Sequence, residues 1–191
     1  AEGRSASALD PAMGGRVLDS LDDAYGVIAA SGLFDRDYYC QACPEAGAPG
    51  VDPIRHYVRE GCDAGLNPNP WFDSKSYLTG NPDVAQAGMN PLAHFAKYGW
   101  NELRSVGNNA YDLVWHWVFD GNEGAQQANP MVAHVATLHA GGEPDIRRVG
   151  AMNAQEVTRF ADAVHALLAD RELSETQLVV LGRYAMEHKL V

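Results

Sequence analysis

Three cysteines and one histidine near the start of the chain have a spacing that suits a metal site. Two residues separate Cys40 from Cys43, twelve separate Cys43 from His56, and five separate His56 from Cys62. Structural zinc sites use four Cys and His ligands, often including a Cys-x2-Cys pair. These four residues are therefore a candidate structural zinc site. A site closed by four protein ligands would stiffen the fold and would not catalyse a reaction.

The same cysteines permit two other interpretations. Cys62 could form a disulfide bond with Cys40 or with Cys43, or all three residues could be plain thiols. An odd number of cysteines, clustered in one part of the chain, does not make a disulfide framework for the whole fold. The redox compartment therefore stays open.

Four tryptophans are the second group of residues that could take part in binding. Aromatic rings can stack on the faces of sugar rings, and they also fill protein cores. Two of the tryptophans fall between predicted helices and two fall in an aromatic segment that ends at Phe119. The candidate glycan-binding residues are Trp71, Trp100, Trp115 and Trp117.

The histidines and acids fit structural roles better than catalytic ones. His56, His94 and His134 recur at one register, and we expect them to hydrogen-bond neighbouring loops. The acids considered as calcium ligands mostly stand at predicted helix starts and lack the dense alternation of oxygen ligands in a calcium loop. These acids are Asp35, Asp73, Asp83, Asp112 and Asp120. The sequence has no Gly-rich phosphate loop, no G-x-S-x-G elbow and no H-E-x-x-H motif, so we predict no catalytic residues and no enzyme.

All these residues lie in or beside copies of a repeated sequence unit, and the most regular copy spans residues 70–104. Its landmark Phe72-Asp73 matches Phe34-Asp35, 38 positions earlier, and Tyr111-Asp112, 39 positions later. A period of about 40 residues is the signature of a repeat array, in which each unit buries its apolar face against its neighbours. We predict an all-α array of three short-helix repeats, with copies at about 33–70, 71–109 and 110–148.

Helix-capping signals occur throughout each unit. In the middle copy Asp73, Asn81-Pro82 and Asn90-Pro91 predict three helix starts, and glycines predict the ends. Helices of about two turns are too short to be stable alone, so packing between repeats must stabilise them.

The flanking regions differ in character. Residues 1–17 are rich in Ala, Gly and Ser and read as a flexible N-terminal segment. The predicted domain 18–148 begins with a helix that leads into the repeats. Residues 149–191 carry two capping-box signals, Asn153 with Glu156 and Ser174 with Gln177, which predict a helical hairpin. The hairpin would either cap the open end of the array or serve as a separate docking module.

The charge of the chain limits its partners. It has 14 Lys and Arg against 25 Asp and Glu, a formal net charge of −11. A polyanion is repelled by phosphate backbones and anionic lipid, so we expect no nucleic-acid partner. The sequence contains no run of 18 apolar residues, so we expect no membrane insertion. The first residues show no signal peptide, which leaves a cytoplasmic protein or a secreted one whose signal was removed.

The stretch FDSKSYLTGNPDVAQAGMNPLAHFAKYGWNELR resembles a tandem repeat of bacterial polysaccharide-synthesis proteins, of the form FDxxYYLxxNPDVAxAGxNPLxHYxxxGxxEGRxP. The resemblance covers about residues 28–142 and leaves out the C-terminal helical pair. In that family the repeats flank glycosyltransferase or sulfotransferase domains, or occur in large secreted proteins, and they are not themselves catalytic.

The resemblance implies a non-enzymatic scaffold or protein-docking module of a bacterial envelope or polysaccharide-related system. A protein partner is therefore expected. The alternative is a secreted or surface protein that binds a glycan, or a structural metal ion, directly. Apart from the candidate zinc site, no cofactor is expected.

Overall fold

A computed structural model describes residues 20–120 and 128–189 of the chain. Every regular element in these ranges is helical, which confirms the all-α prediction. The predicted flexible segment 1–17 lies outside the described residues.

Eleven α-helices occur in the described ranges, and three of them adjoin a π-helical turn. The helices are α1 Leu21–Ser31, α2 Arg36–Ala42, α3 Pro53–His56, α4 Cys62–Ala64, α5 Ser74–Gly80, α6 Pro82–Gln86, α7 Pro91–His94, α8 Leu113–Phe119, α9 Pro130–His139, α10 Ala154–Asp170 and α11 Glu175–Glu187. One π turn, Tyr57–Gly61, joins α3 to α4, and the other, Phe95–Gly99, follows α7. A 3₁₀ turn spans Pro44–Gly47.

An aspartate starts the first helix of each predicted repeat. Asp35, Asp73 and Asp112 each accept a hydrogen bond on the side chain from the backbone N–H three residues later. Each also donates its own N–H to a distant carbonyl, which closes the unit into a loop. The three acceptors are the carbonyls of Pro68, Val106 and Arg147, at 2.9, 3.0 and 2.9 Å. This recurrence supports the three-repeat interpretation.

A buried tyrosine–histidine pair recurs in the first two units. The Tyr39 hydroxyl lies 2.8 Å from His56 Nδ1, and the Tyr77 hydroxyl lies 2.9 Å from His94 Nδ1. The histidines therefore bond side chains of their own unit, and not the loop backbones expected from the sequence. A glycine at the end of each π turn makes room for the hydroxyl, because a Cβ there would clash with it.

The three units enclose one common core instead of forming an open row. Its buried residues come from α1 and from all three predicted copies, including Met131 and Val135 of α9. The first and third copies are in direct contact: the buried Asn69 amide donates to the Leu33 carbonyl and reaches Met131 Sδ at 3.7 Å. An array with an open end, as the sequence suggested, does not describe this arrangement.

A second core joins the C-terminal helices to α8. It contains Leu103, Trp115, Trp117, Val118, Phe160, Leu167, Leu181 and Tyr184. The Tyr184 hydroxyl donates to Asp112 at 2.6 Å, and the Gln177 amide donates to the Asn101 carbonyl at 2.9 Å. Both predicted capping boxes are present. Of the two roles considered for α10 and α11, packing against the repeats is therefore observed.

Candidate functional site

The four residues of the candidate zinc site are not brought together. Cys43 Sγ lies 4.0 Å from His56 Nε2, while His56 Nδ1 is bonded to Tyr39. Cys40, Cys43 and Cys62 are all free thiols. Burial raises the pKa of Cys43, and it raises the pKa of Cys62 to about 11, so both favour the neutral thiol over the thiolate that binds metal. The spacing in sequence matched a zinc site, but in the structure the four residues do not form a group whose ligand atoms lie within 4.8 Å of one another.

The candidate glycan-binding tryptophans are mostly core residues. Trp117 is fully buried, and Trp71 and Trp115 are each 8% exposed. Trp71 packs edge-on against His134, and Trp100 is half-buried between the two cores. A fully buried ring has no face free for a sugar, so Trp117 does not fit the predicted role.

A different cluster, in the third unit, gathers two histidines and a carboxylate. His116, Asp120 and His134 have ligand atoms that all lie within 4.8 Å of one another. His116 is buried, Asp120 is exposed and His134 is half-buried. Within residues 20–120 and 128–189 this is the group of His, Cys, Asp and Glu side chains whose arrangement could hold a metal ion.

Repeat positions explain how the cluster arises. Five residues after the aromatic landmark the first two units have Tyr39 and Tyr77, and the third has His116. Tyr111, the landmark residue, takes over the role of the missing tyrosine. Its hydroxyl lies 2.9 Å from His134 Nδ1. The third unit thus keeps the phenol–imidazole pair and gains a second imidazole.

The residue nine positions after the landmark also varies between units. It is Cys43 in the first, Asn81 in the second and Asp120 in the third. Cys43 and Asp120 face Nε2 of their unit's histidine, at 4.0 and 3.7 Å. Sequence reasoning considered Asp120 only among the candidate calcium ligands and missed this cluster. Aligning the three units position by position shows that His116 and Asp120 depart from the other copies, but not that they meet His134.

Two hydrogen bonds indicate which ring nitrogen of His116 carries the hydrogen. Its Nε2 accepts the backbone N–H of Arg147 at 2.9 Å, so that nitrogen carries a lone pair. Its Nδ1 lies 2.5 Å from Asp120 Oδ2 and must donate to the carboxylate. Burial and the nearby His116 lower the pKa of His134, which favours its neutral form. The two imidazole centroids are 4.7 Å apart and cross at 70°.

A polar pocket of about 530 Å³ surrounds the cluster. The Arg147 guanidinium lies over the Trp115 ring at 4.3 Å and pairs with Glu156, and the Arg159 guanidinium lies over Phe119 at 4.4 Å. Three arginines and three acids line the pocket. These charged residues are Arg147, Arg148, Arg159, Asp120, Asp145 and Glu156. Their formal charges cancel, so the pocket does not strongly repel either a cation or an anion.

The outward face of α11 is a second candidate interaction surface. Leu178, Val179 and Met186 are 47%, 55% and 65% exposed. The neighbouring Gln177 is buried instead, and its amide bonds Asn101. The three apolar side chains project from the side of α11 opposite to Leu181 and Tyr184.

No protein-family model, curated protein or solved structure matches this chain. In the described ranges, each helix is too short or too polar to cross a lipid bilayer.

Proposed function

We propose that this chain is a non-enzymatic, helical protein-docking module, which binds its partner through the outward face of α11. On the resemblance of its repeats, we place it in a bacterial envelope or polysaccharide-related system. The observation that carries the proposal is the exposure of Leu178, Val179 and Met186 on one helix. A helix that is apolar on two faces has a second surface to bury.

The geometry of α11 favours a helical partner. At about 100° per residue, Leu178, Gly182, Met186 and Val179 lie within an arc of about 100°. Gly182 is at the centre of this arc, and the space that a Cβ would occupy there is open. Glycine inside a helix costs about 1 kcal/mol relative to alanine. No heavy atom of the described residues lies within 4 Å of that Cβ position, so a second helix could approach closely at this point.

The thiol chemistry of the chain does not favour a cysteine nucleophile. The sulfur–imidazole contact in the described ranges, Cys43 with His56, involves a buried thiol whose raised pKa opposes the reactive thiolate. Glycan binding through the predicted tryptophans has lower support, since three of the four have almost no exposed surface.

Site-specific photo-crosslinking tests the proposal. A photoreactive residue at Val179 of the full chain is expected to capture one defined protein in cells of the source organism, and Met186→Glu is expected to abolish that adduct. Gln155→Glu makes the same change of charge at an exposed position of α10 and should leave the adduct unchanged. If Met186→Glu leaves capture intact, or the adduct is a second copy of this chain, the proposal of a separate protein partner fails.

A further inference from the structure

We propose that His116, Asp120 and His134 form a binding site for a divalent transition metal of the zinc type. Two imidazole nitrogens and one carboxylate oxygen are ligands that Zn²⁺ and related ions accept. This inference is independent of the docking surface on α11, and it concerns residues other than the cysteines that suggested zinc from the sequence.

The distances allow the three ligands to close on one ion. Zn²⁺ binds nitrogen and oxygen at about 2.0–2.2 Å, which places tetrahedral ligand atoms about 3.3 Å apart. Asp120 Oδ2 is 3.7 Å from His134 Nε2 and 2.5 Å from His116 Nδ1. Tetrahedral ligation needs the second pair to separate by about 0.8 Å and the first to close by about 0.4 Å, and the ligand atoms of the two histidines already lie within 4.8 Å of each other. Asp120 can make this movement, since its side chain is 42% exposed.

The outer contacts of His134 suit a metal ligand. Histidines that bind metal donate the other ring N–H to a neighbouring group, which sets the tautomer and the ring orientation. The Tyr111 hydroxyl is 2.9 Å from His134 Nδ1 and can accept that N–H. His134 Nε2 then presents its lone pair toward Asp120.

His116 requires a local change when the ion binds. A metal at Nδ1 replaces the proton now donated to Asp120, and a neutral imidazole then carries its proton on Nε2. That proton would face the Arg147 N–H, which is also a donor. Metal binding must therefore turn the Arg147 amide away, and this peptide lies in a segment without helix between α9 and α10.

Three protein ligands leave a fourth position that opens into the polar pocket. Structural zinc sites are closed by four protein ligands, while sites with three keep one position for water or a bound molecule. The proposed ion is therefore exchangeable and reachable from solution.

Titration of the chelator-stripped full chain with Zn²⁺ tests the site. Calorimetry is expected to show one ion per chain, with Asp120→Asn and His116→Gln each weakening binding by at least about 100-fold. Asp120→Asn keeps the shape of an exposed side chain, so it separates lost ligation from lost folding. The matched control is the pair Cys43→Ala and Cys62→Ala, which should bind Zn²⁺ as the unchanged protein does. Absence of saturable binding, or its survival in Asp120→Asn, overturns the proposal, as does its loss in the cysteine variant.

The backbone amide of Arg147 gives a second readout. In the metal-free protein it is protected by its bond to His116 Nε2. Zn²⁺ is expected to shift its amide resonance and to speed its exchange with solvent. A Zn²⁺-loaded protein with an unchanged Arg147 amide would place the ion elsewhere and overturn the assignment.

Discussion

At the scale of single residues, one phenol–imidazole pair is used three times with different neighbours. The first unit sets a thiol beside the histidine, the second sets the charge of Arg104 near it, and the third sets Asp120 and a second imidazole there. The pair satisfies two polar groups inside the core, which leaves the far side of each imidazole free to differ. One nitrogen of each imidazole therefore bonds the tyrosine hydroxyl, and the other faces the residues that differ between units.

Tyr77→Phe is expected to destabilise the protein by about 1–3 kcal/mol, because it leaves His94 Nδ1 buried without its partner. Urea unfolding followed by circular dichroism measures the change. Tyr98→Phe, at a half-buried ring beside the same histidine, is the matched control and should change stability less. Equal effects would mean that the hydrogen bond contributes nothing beyond ring packing.

His94 is expected to make stability fall in mild acid. Burial and the nearby Arg104 hold its pKa below the usual value, so the unfolded chain takes up a proton at a higher pH than the folded protein does. Its contribution is fully present above about pH 6.5, the unfolded pKa, and is lost as pH falls through and below that value. Unfolding free energies at several pH values, compared between the unchanged protein and His94→Gln, isolate this effect. The slope below neutral pH should be shallower in the variant, and an identical slope would contradict the assignment.

At the scale of elements, the π turns and the short helices show how side-chain contacts override local propensity. The predicted helix from Pro91 to Gly99 is α-helical only to His94 and then widens into a π turn. The widened turn places Gly99 under the Tyr77 hydroxyl. Asn81 is the N-cap residue of α6, as predicted, but its side chain donates to the Tyr77 carbonyl and accepts from Arg104 instead of capping the helix. The contacts of Gly99 with Tyr77 and of Asn81 with Arg104 join residues more than 20 positions apart.

Gly99→Ala is expected to lower the unfolding free energy by about 1–3 kcal/mol, because the new methyl group forces the Tyr77 hydroxyl out of its buried position. Gly26→Ala in α1 is the matched control, since a Cβ there meets open space. It should stabilise the protein by about 0.5–1 kcal/mol through helix propensity. Thermal unfolding of both variants checks the pair, and a stabilising Gly99→Ala would refute the packing argument.

At the scale of the whole molecule, contact between the first and third units makes the core one body. Val132 of α9 lies against Gly32, and His139 Nε2 is 3.7 Å from Asp35 Oδ1. In an open array each unit contacts only its neighbours, so parts of it can unfold separately. A closed set of units should instead unfold together. The C-terminal helices are tied to this body by Tyr184 and Gln177.

Asn69→Ala is expected to destabilise the protein by at least about 3 kcal/mol, since it leaves three backbone groups without a partner. The Asn69 side chain accepts the N–H groups of Trp71 and Phe72 and donates to the Leu33 carbonyl. Urea titration followed by circular dichroism and by tryptophan fluorescence should show one shared midpoint, before and after the substitution. Asn108→Ala, which removes one loop hydrogen bond within a unit, should cost about 1 kcal/mol. Separate midpoints in the unchanged protein would indicate independently unfolding units.

The candidate sites could be predicted only in part. The repeat period identified His134 and Tyr111-Asp112 as counterparts of residues in the other two units. It could not predict that His116 meets Asp120 and His134, because that contact depends on how α8 packs against α9. The cysteine spacing suggested zinc because spacing in sequence does not show whether the folded chain gathers the four ligand atoms around one point, which here it does not. The burial of Gln177 beside the exposed Leu178 likewise depends on a distant group, because the Gln177 amide bonds the Asn101 carbonyl.

The sequence by itself determined the all-α class, the caps at Asp35, Asp73 and Asp112, and both C-terminal capping boxes. These features are local: a side chain bonds a backbone N–H two or three residues away, so the pattern and the structure coincide. The tertiary structure alone decided that the three predicted units share one core and that α11 keeps an apolar face outside. It also decided that two histidines and a carboxylate meet in the third unit. Such contacts join residues far apart in the chain, and their geometry follows from the packing of the whole molecule.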